Sequence, residues 1–188
     1  KRQAYYFERN GEVLQDYPGF ADVFMKDGDM PQKGERFTNP DLANTYQTIA
    51  EQGRDVFYEG DIARTISDFV QDNGGFLSYE DLASHESTWV DPVSSNYRGY
   101  DLWELPPNTQ GIAAQQILNM LENFDIAAMG FDSPEYIHHF VEAKKLAFED
   151  RAKYYSDPAF NDVPVEGLLD KDYARERAQL IDPSKPAK

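Results

Sequence analysis

Residues 88–124 read TWVDPVSSNYRGYDLWELPPNTQGIAAQQILNMLENF and contain a clear change from strand-like to helix-like sequence. Residues 88–105 are rich in β-branched and aromatic side chains around an Arg98-Gly99 dipeptide, which predicts a β-hairpin. Prolines then end the second strand, and residues 111–124 carry apolar side chains at helical spacing. We therefore expect a strand–turn–strand–helix unit with five buried helix residues: Ala113, Ile117, Met120, Leu121 and Phe124.

Helical patterns flank this unit on both sides. Asn39-Pro40 supplies an N-cap followed by proline at the first helical position, and Ser133-Pro134 does the same for the longest helix. Ser78 begins a short capped helix that ends near His85. The remaining signals complete a set of four longer helices, at residues 40–52, about 59–72, about 134–155 and about 171–180.

The whole chain is predicted to be α+β, predominantly helical with one β-hairpin. Residues 1–38 carry turn signals at Asn10-Gly11, Pro18-Gly19 and Asp27-Gly28, which predict short strands and loops. We treat residues 1–188 as a single segment, divided into strands and loops (1–38), helices (39–87), hairpin (88–105), helices (106–181) and a tail without core residues (182–188).

Composition excludes several classes of partner. Thirty-four acidic and eighteen basic residues give a net charge of -16, so nucleic acid and anionic membrane surfaces would be repelled. No apolar run is long enough to cross a bilayer, and no signal-peptide pattern is present. The chain begins at Lys1 rather than Met, and we expect it to be part of a longer protein. The absence of Cys excludes disulfides and thiolate chemistry.

Three histidines, His85, His138 and His139, are the available imidazole bases. No GxSxG motif surrounds any serine, and His85 lies in a polar segment where surface solvation is expected. Glu135, His138 and Glu142 share one helical face at a spacing that can hold a metal. A di-iron site needs this Glu-x-x-His unit twice and a zinc protease needs His-Glu-x-x-His. We therefore interpret this face as exposed and hydrogen-bonded, and we expect no metal or organic cofactor.

Acidic side chains near aromatic residues are a second candidate for chemistry. A glycosidase needs two carboxyl groups about 5 to 10 Å apart, a distance that sequence does not give, so solvation and helix-end roles are favoured. The candidates are Asp101, Glu104, Glu149 and Asp150.

Residues 106–111, PPNTQG, precede a helix. They are compatible with an anion site at the helix N-terminus or with a simple strand-to-helix corner, and the corner is favoured because the Lys and glycine spacing of a phosphate loop is absent.

The order of the motifs carries more information than any one of them. Residues 39–45 (NPDLANT), 49–53 (IAEQG) and 57–63 (FYEGDIA) are followed by 97–100 (YRGY), 105–107 (LPP) and 142–148 (EAKKLAF). This collinear series, from about residue 17 to residue 181, resembles the gamma-glutamyltranspeptidase family.

The resemblance implies an N-terminal nucleophile hydrolase with an αββα sandwich, in which this segment is the later part of the large subunit. Members are made as precursors that cut themselves before a Thr, which then attacks gamma-glutamyl amides such as glutathione. The resemblance further implies that this Thr lies outside the chain, so that residues 1–188 alone are inactive and no catalytic residue is carried over. The threonines inside the resemblance, none of which matches the nucleophile, are Thr38, Thr45, Thr48, Thr65, Thr88 and Thr109.

By the same resemblance, the expected partners are the remainder of the large subunit and the small subunit that carries the Thr, and the expected location is periplasmic or extracellular. One departure concerns the substrate. Where many transpeptidases read PPPSSGG, residues 106–111 read PPNTQG, a form similar to divergent, acylase-like relatives. Two alternatives therefore stay open: hydrolysis of another amide, and a non-catalytic acidic helical module that binds a partner.

Overall fold

The computed structural model describes residues 2–187, in which helices and one antiparallel two-stranded sheet are joined by turns and loops. The chain divides into two compact units, Lys1–Ser87 and Thr88–Lys188, where the sequence was treated as one segment. Among residues 2–187, no helix combines the length and the apolar character needed to cross a bilayer.

The first unit contains six helices. Their bounds are α1 Arg2–Leu14, α2 Phe20–Phe24, α3 Pro40–Gln52, α4 Asp55–Tyr58, α5 Asp61–Asp72 and α6 Tyr79–Ala83.

The helix α1 contradicts the prediction of short strands and loops for residues 1–38 (Lys1 lies outside the described residues). Gly11 does not form a turn; it lies inside the helix, and a Cβ there would be 2.7 Å from Met30 Cε. Gly11 thus allows a close contact between α1 and Met30, whereas the Asn10-Gly11 dipeptide by itself predicts a turn. An aromatic cluster holds this region together, with the rings of Phe24 and Phe37 stacked at 5.7 Å and Phe7 beside both.

Predicted helices with strong local caps are confirmed. Helix α3 has the expected bounds, and Asn39 Oδ1 accepts a hydrogen bond from the Leu42 backbone N–H at 2.9 Å. Ser78 and Asp81 form a reciprocal capping box at the start of α6. The helix predicted from about residue 59 to 72 is confirmed as α5, which begins at Asp61. Gly60 precedes it and packs so closely on α4 that a Cβ would lie 2.7 Å from the Val56 carbonyl oxygen.

The second unit begins with the hairpin and continues with five helices. Their bounds are β1 Val93–Tyr97, β2 Tyr100–Glu104, α7 Gly111–Leu121, α8 Ile126–Met129, α9 Pro134–Tyr154, α10 Val165–Leu169 and α11 Lys171–Ala178. The hairpin turn is at Arg98-Gly99 as predicted, and both residues have positive φ, 51° and 89°, as a two-residue turn that matches the strand twist requires. The short helices α8 and α10 were not predicted, since four or five residues do not establish a helical period.

The core of the second unit lies between α7, α9 and α11. Four of the five residues predicted to be buried in α7 are buried, and Phe124 is partly buried at the edge. Small residues on the other two helices allow close approach. The core cluster comprises Ile117, Met120, Leu121, Ala143, Ala147, Ala174, Ala178 and Ile181.

Candidate functional site around the strand-to-helix corner

The corner between β2 and α7 is stabilised by its own side chains. The Thr109 hydroxyl lies 3.0 Å from the Leu105 carbonyl oxygen and 3.1 Å from that of Pro106, so it is engaged with local backbone acceptors. Gly111 then starts α7 with the Glu104 side chain directly against it, since a Cβ at Gly111 would lie 2.4 Å from Glu104 Oε2.

The position of Glu104 favours the corner interpretation over an anion site. A carboxylate beside the first residue of a helix is stabilised by the helix dipole. The same negative charge would repel an anionic ligand approaching the N-terminus of α7. Glu104, a candidate glycosidase acid, therefore has a structural role at this corner.

An open cavity of about 440 Å³ lies beside the corner. Pro106 and Pro107 form one side, and the loop that precedes α10, including Phe160 and Val163, forms the other. Two polar side chains, Asn161 and Asp162, border it. Neither a histidine nor a second carboxylate lines the cavity, so it does not contain an acid–base pair.

The other candidate acids are engaged in structural contacts. Asp101 accepts a hydrogen bond from Asn96 Nδ2 at 2.8 Å, and Glu149 accepts one from Arg177 Nη2 at 2.9 Å. These two carboxylates are exposed, as expected for solvation and ion pairing.

Asp150 is buried and forms the centre of a polar network. Its Oδ2 accepts from Gln116 Nε2 at 3.0 Å, and its Oδ1 accepts from the Tyr173 hydroxyl at 2.9 Å and lies 3.1 Å from Arg177 Nη2. The Tyr155 hydroxyl donates to Gln116 Oε1 and extends the network to the end of α9. With both oxygens accepting from protein donors, Asp150 connects α7, α9 and α11.

Two tyrosines in this network are held in their neutral form. Burial, together with the hydrogen bond to Asp150 and its charge, raises the pKa of Tyr173 to about 12. Burial and then the charge of Asp150 raise the pKa of Tyr155 above its usual value. Neither hydroxyl is therefore a ready proton acceptor near neutral pH.

The predicted exposed polar face, which comprises Glu135, His138 and Glu142, is wrong for Glu142, and the adjacent His139 lies outside that face. His139 is buried against the Phe124 ring at 4.8 Å, and its Nδ1 donates to the Glu135 carbonyl at 2.9 Å. Glu142 is also buried, where its carboxylate accepts from Lys145 Nζ at 2.7 Å and from the Ala187 N–H at 2.9 Å. Helical spacing placed Glu142 correctly on α9, but the Ala187 backbone near the end of the chain contacts its carboxylate.

His138 is half-buried, and its Nε2 lies 2.8 Å from the Asp182 carbonyl oxygen, to which it donates. The hydrogen bond from Lys145, followed by that from Ala187, holds the pKa of Glu142 below its usual range. His85 is exposed as predicted and stacks on Tyr58 with ring centroids 4.9 Å apart. Within residues 2–187, no three His, Cys, Asp or Glu side chains group closely enough to hold a metal.

Threonine hydroxyls of the first unit also satisfy local backbone groups. Thr45, Thr48 and Thr65 each donate at 2.9 Å to the carbonyl four residues earlier in the same helix. A hydroxyl used in this way has no adjacent base to activate it as a nucleophile.

An ion network at the hairpin turn was not anticipated from the sequence. Lys171 Nζ donates to Glu122 Oε2 at 2.5 Å, to Asn119 Oδ1 at 2.7 Å and to the Asn96 carbonyl at 2.6 Å. The hydrogen bond from Lys171, followed by that from the Arg98 backbone N–H, holds the pKa of Glu122 below its usual range. The partners in these contacts are separated by 49 to 75 positions in sequence. No short motif therefore predicts them.

Comparison with known proteins gives a consistent result over the whole chain. The family described as gamma-glutamyltranspeptidase matches residues 1–188. The chain is 45% identical over 179 residues to the glutathione hydrolase-like YwrD proenzyme of Bacillus subtilis (strain 168), covering 95% of the chain and 34% of that protein. It thus spans about a third of the length of the curated relatives it matches.

Solved structures are similar in fold as well as sequence. The crystal structure of Helicobacter pylori gamma-glutamyltranspeptidase superimposes with a TM-score of 0.87 at 35% identity, covering 99% of this chain and 54% of the other. The crystal structure of cephalosporin acylase from Bacillus halodurans superimposes with a TM-score of 0.82 at 36% identity, covering 98% and 35%.

Proposed function

The chain belongs to the gamma-glutamyltranspeptidase family, and from this membership we propose that it is a scaffold segment of an enzyme that hydrolyses or transfers gamma-glutamyl amides of the glutathione type. The observation that carries the proposal is the match along the entire chain. In sequence it matches a relative about three times as long, and in fold a solved chain about twice as long. The nucleophile in this proposal is an N-terminal Thr on a segment outside residues 1–188, within an αββα sandwich that this segment helps to complete.

In the proposed reaction, the Thr α-amine accepts the proton of its own hydroxyl, and the hydroxyl oxygen attacks the amide carbonyl. An acyl-enzyme forms as the amine portion of the substrate leaves. Water or an amino acid then releases the acyl group from the Thr. The contribution of this segment is rigidity. Its buried Asp150 network and small-residue core fix α7, α9 and α11 relative to one another, as positioning of a catalytic group requires.

An acylase-like activity on other amides is the second candidate. Two observations favour it: residues 106–111 read PPNTQG, and the chain is 36% identical to the cephalosporin acylase against 35% to the transpeptidase. In this alternative the Thr mechanism is the same, and the substrate lacks the gamma-glutamyl group.

The exposure of large apolar side chains argues against a stand-alone binding module. Phe76 is 98% exposed and Trp89 103% exposed, and Phe131 and Phe160 are also mostly in solvent. Further segments of a larger enzyme would cover such groups. For the whole protein we also propose export to the periplasm or the exterior, which rests on family membership alone and which fractionation of the producing cells would test.

The testing experiment begins with expression of the full reading frame that contains this chain. Intact mass and N-terminal sequencing of all co-purifying chains should show a second chain that starts with Thr. The purified enzyme is then offered a gamma-glutamyl anilide and, as a matched control, the glutaryl anilide, which lacks only the α-amino group.

Faster release of the aniline from the gamma-glutamyl compound supports the proposal, and faster release from the glutaryl compound supports the acylase alternative. A single uncut chain without a downstream Thr, inactive on both anilides, would reject both enzyme hypotheses. The non-catalytic binding module would then be the remaining hypothesis.

A further inference from the structure

The long helix α9 presents two different faces. One face carries Ala143 and Ala147, which are fully buried in the core. The adjoining side of the helix carries large apolar side chains that remain 38% to 48% exposed, namely Ile137, Phe140, Val141 and Phe148. Their spacing along the helix, with Lys144 and Arg151 in the same row, aligns them on one side. We refer to these six residues as the α9 stripe.

The charges within the α9 stripe are positive. Lys144 Nζ lies 5.0 Å from the centroid of the Phe148 ring and Arg151 Cζ lies 5.3 Å from it. Residues advance by about 100° around an α-helix, which turns Glu142 and Glu149 away from the stripe. Glu142 is in addition buried and neutralised by Lys145. In a chain with a net charge of -16, an apolar row with basic side chains is a distinct surface.

Resting on the proposed function, we propose that the α9 stripe is the docking surface for an acidic amphipathic segment of the same enzyme that lies outside residues 1–188. About two thirds of the length of the curated relatives lies beyond the span matched here, so the enzyme has ample chain to supply this occupant. The four apolar side chains require an apolar seam opposite them, and Lys144 and Arg151 require carboxylates at its margin.

The dimensions of the stripe fit a helical occupant. From Ile137 to Arg151 the stripe extends about 21 Å along the axis of α9 at the usual rise per residue. A helix of about four turns that lies along it would cover all four apolar side chains. An anionic lipid surface is disfavoured, because the net charge of the chain opposes approach to it.

Lysine labelling of the assembled, full-length enzyme tests the proposal without depending on activity. Each lysine is acylated with a small reagent. Mass spectrometry then compares the acylation rate of each lysine in the folded enzyme with that in the denatured enzyme. We expect Lys144 to react about tenfold more slowly in the folded enzyme, as a residue under a docked segment should. Lys153, an exposed lysine on another side of the same helix, provides the matched control and should keep most of its rate.

A carbodiimide that joins amines to carboxylates identifies the occupant. We expect a cross-link from Lys144 to an Asp or Glu outside residues 1–188. The Lys144→Arg variant keeps the charge and removes the reactive amine, so this cross-link should disappear, whereas Lys153→Arg should leave it in place.

Three results would overturn the docking surface. They are unprotected labelling of Lys144, cross-links from Lys144 only to a second copy of residues 1–188, and co-sedimentation of the enzyme with phosphatidylglycerol vesicles that protects Lys144. Failure of the proposed function is recognised separately, since an enzyme inactive on both anilides with Lys144 protected and cross-linked would reject the function and retain the surface.

Discussion

Asp150, one of the candidate acids, makes structural contacts through both of its carboxylate oxygens. Its side chain is buried and takes hydrogen bonds from Gln116 and Tyr173 together with the charge of Arg177. Removing one partner of a buried ion pair leaves the other charge uncompensated.

We predict that Asp150→Ala lowers the free energy of unfolding by about 3 to 5 kcal/mol, measured by chemical denaturation of the assembled enzyme. The matched control is Glu149→Ala, which removes an exposed carboxylate bound to the same Arg177 and should cost at most about 1 kcal/mol. Equal losses in the two variants would contradict a special role for the buried network.

The two adjacent histidines of α9 are predicted to be structural. We expect His138→Ala and His139→Ala to leave the turnover of the assembled enzyme within a few fold, because both rings donate to backbone carbonyls, His138 to Asp182 and His139 to Glu135. His139→Ala should also lower stability by about 1 to 3 kcal/mol, since its ring is buried against Phe124. A loss of turnover of about a hundredfold or more, the size expected for a general base, would show that one of them acts in the reaction.

Glu122 should give the second unit a measurable pH dependence. Its pKa is held below the usual range by Lys171 and Arg98, so its contribution to stability is complete above the unfolded-state value of about 4.3 and is lost as pH falls through the lower folded-state value. We predict that Glu122→Gln is less stable than the parent enzyme at pH 7 and that the difference shrinks below about pH 4.

Denaturation midpoints measured from pH 7 to pH 3 follow this difference. The exposed Glu166 provides the control, and Glu166→Gln should leave the curve parallel to that of the parent. A gap between Glu122→Gln and the parent that stays constant down to pH 3 would show that the carboxylate does not contribute through its charge.

At the scale of elements, two glycines differ in whether the structure has room for a side chain. Gly60, between α4 and α5, lies so close to the Val56 backbone that an added Cβ forces a movement of the main chain. Gly167, within α10, has no heavy atom within 4 Å of the corresponding position. We predict that Gly60→Ala destabilises the enzyme by about 1 to 3 kcal/mol and that Gly167→Ala stabilises it by about 0.5 to 1 kcal/mol.

Thermal denaturation of the two variants side by side checks this pair. The opposite signs matter more than the magnitudes, because both changes add the same methyl group. A neutral Gly60→Ala would mean that the break between α4 and α5 is not fixed by this contact.

The elements that the sequence predicted correctly are those whose signals are local. Asn39 with Pro40, Ser133 with Pro134, and Arg98 with Gly99 each specify a start or a turn within a few residues. Helix α1 was missed because Gly11 is explained by its close contact with the Met30 side chain, nineteen positions away in sequence. The Asp150 and Lys171 networks were missed for the same reason, since their partners come together only after the helices pack.

At the scale of the whole molecule, each of the two units exposes large aromatic side chains to solvent. Trp89, Phe76, Phe131 and Phe160 are mostly in solvent. The order of the family motifs indicated a segment of a longer enzyme. The exposed aromatic side chains agree with that, because further segments of the enzyme would cover them.

We predict that residues 1–188 expressed without the rest of the enzyme bind a hydrophobic dye strongly or aggregate, because side chains covered in the enzyme are then exposed to water. The measurement compares dye fluorescence and light scattering of this segment with those of the full-length enzyme at equal concentration, and addition of the remaining segments during expression should suppress both signals. Phe76→Ser and Trp89→Ser in the isolated segment should reduce them in part, since each removes a large exposed apolar group. A monomer that unfolds sharply and binds no dye would instead favour an independent acidic helical module, in which the exposed side chains serve an unrelated partner.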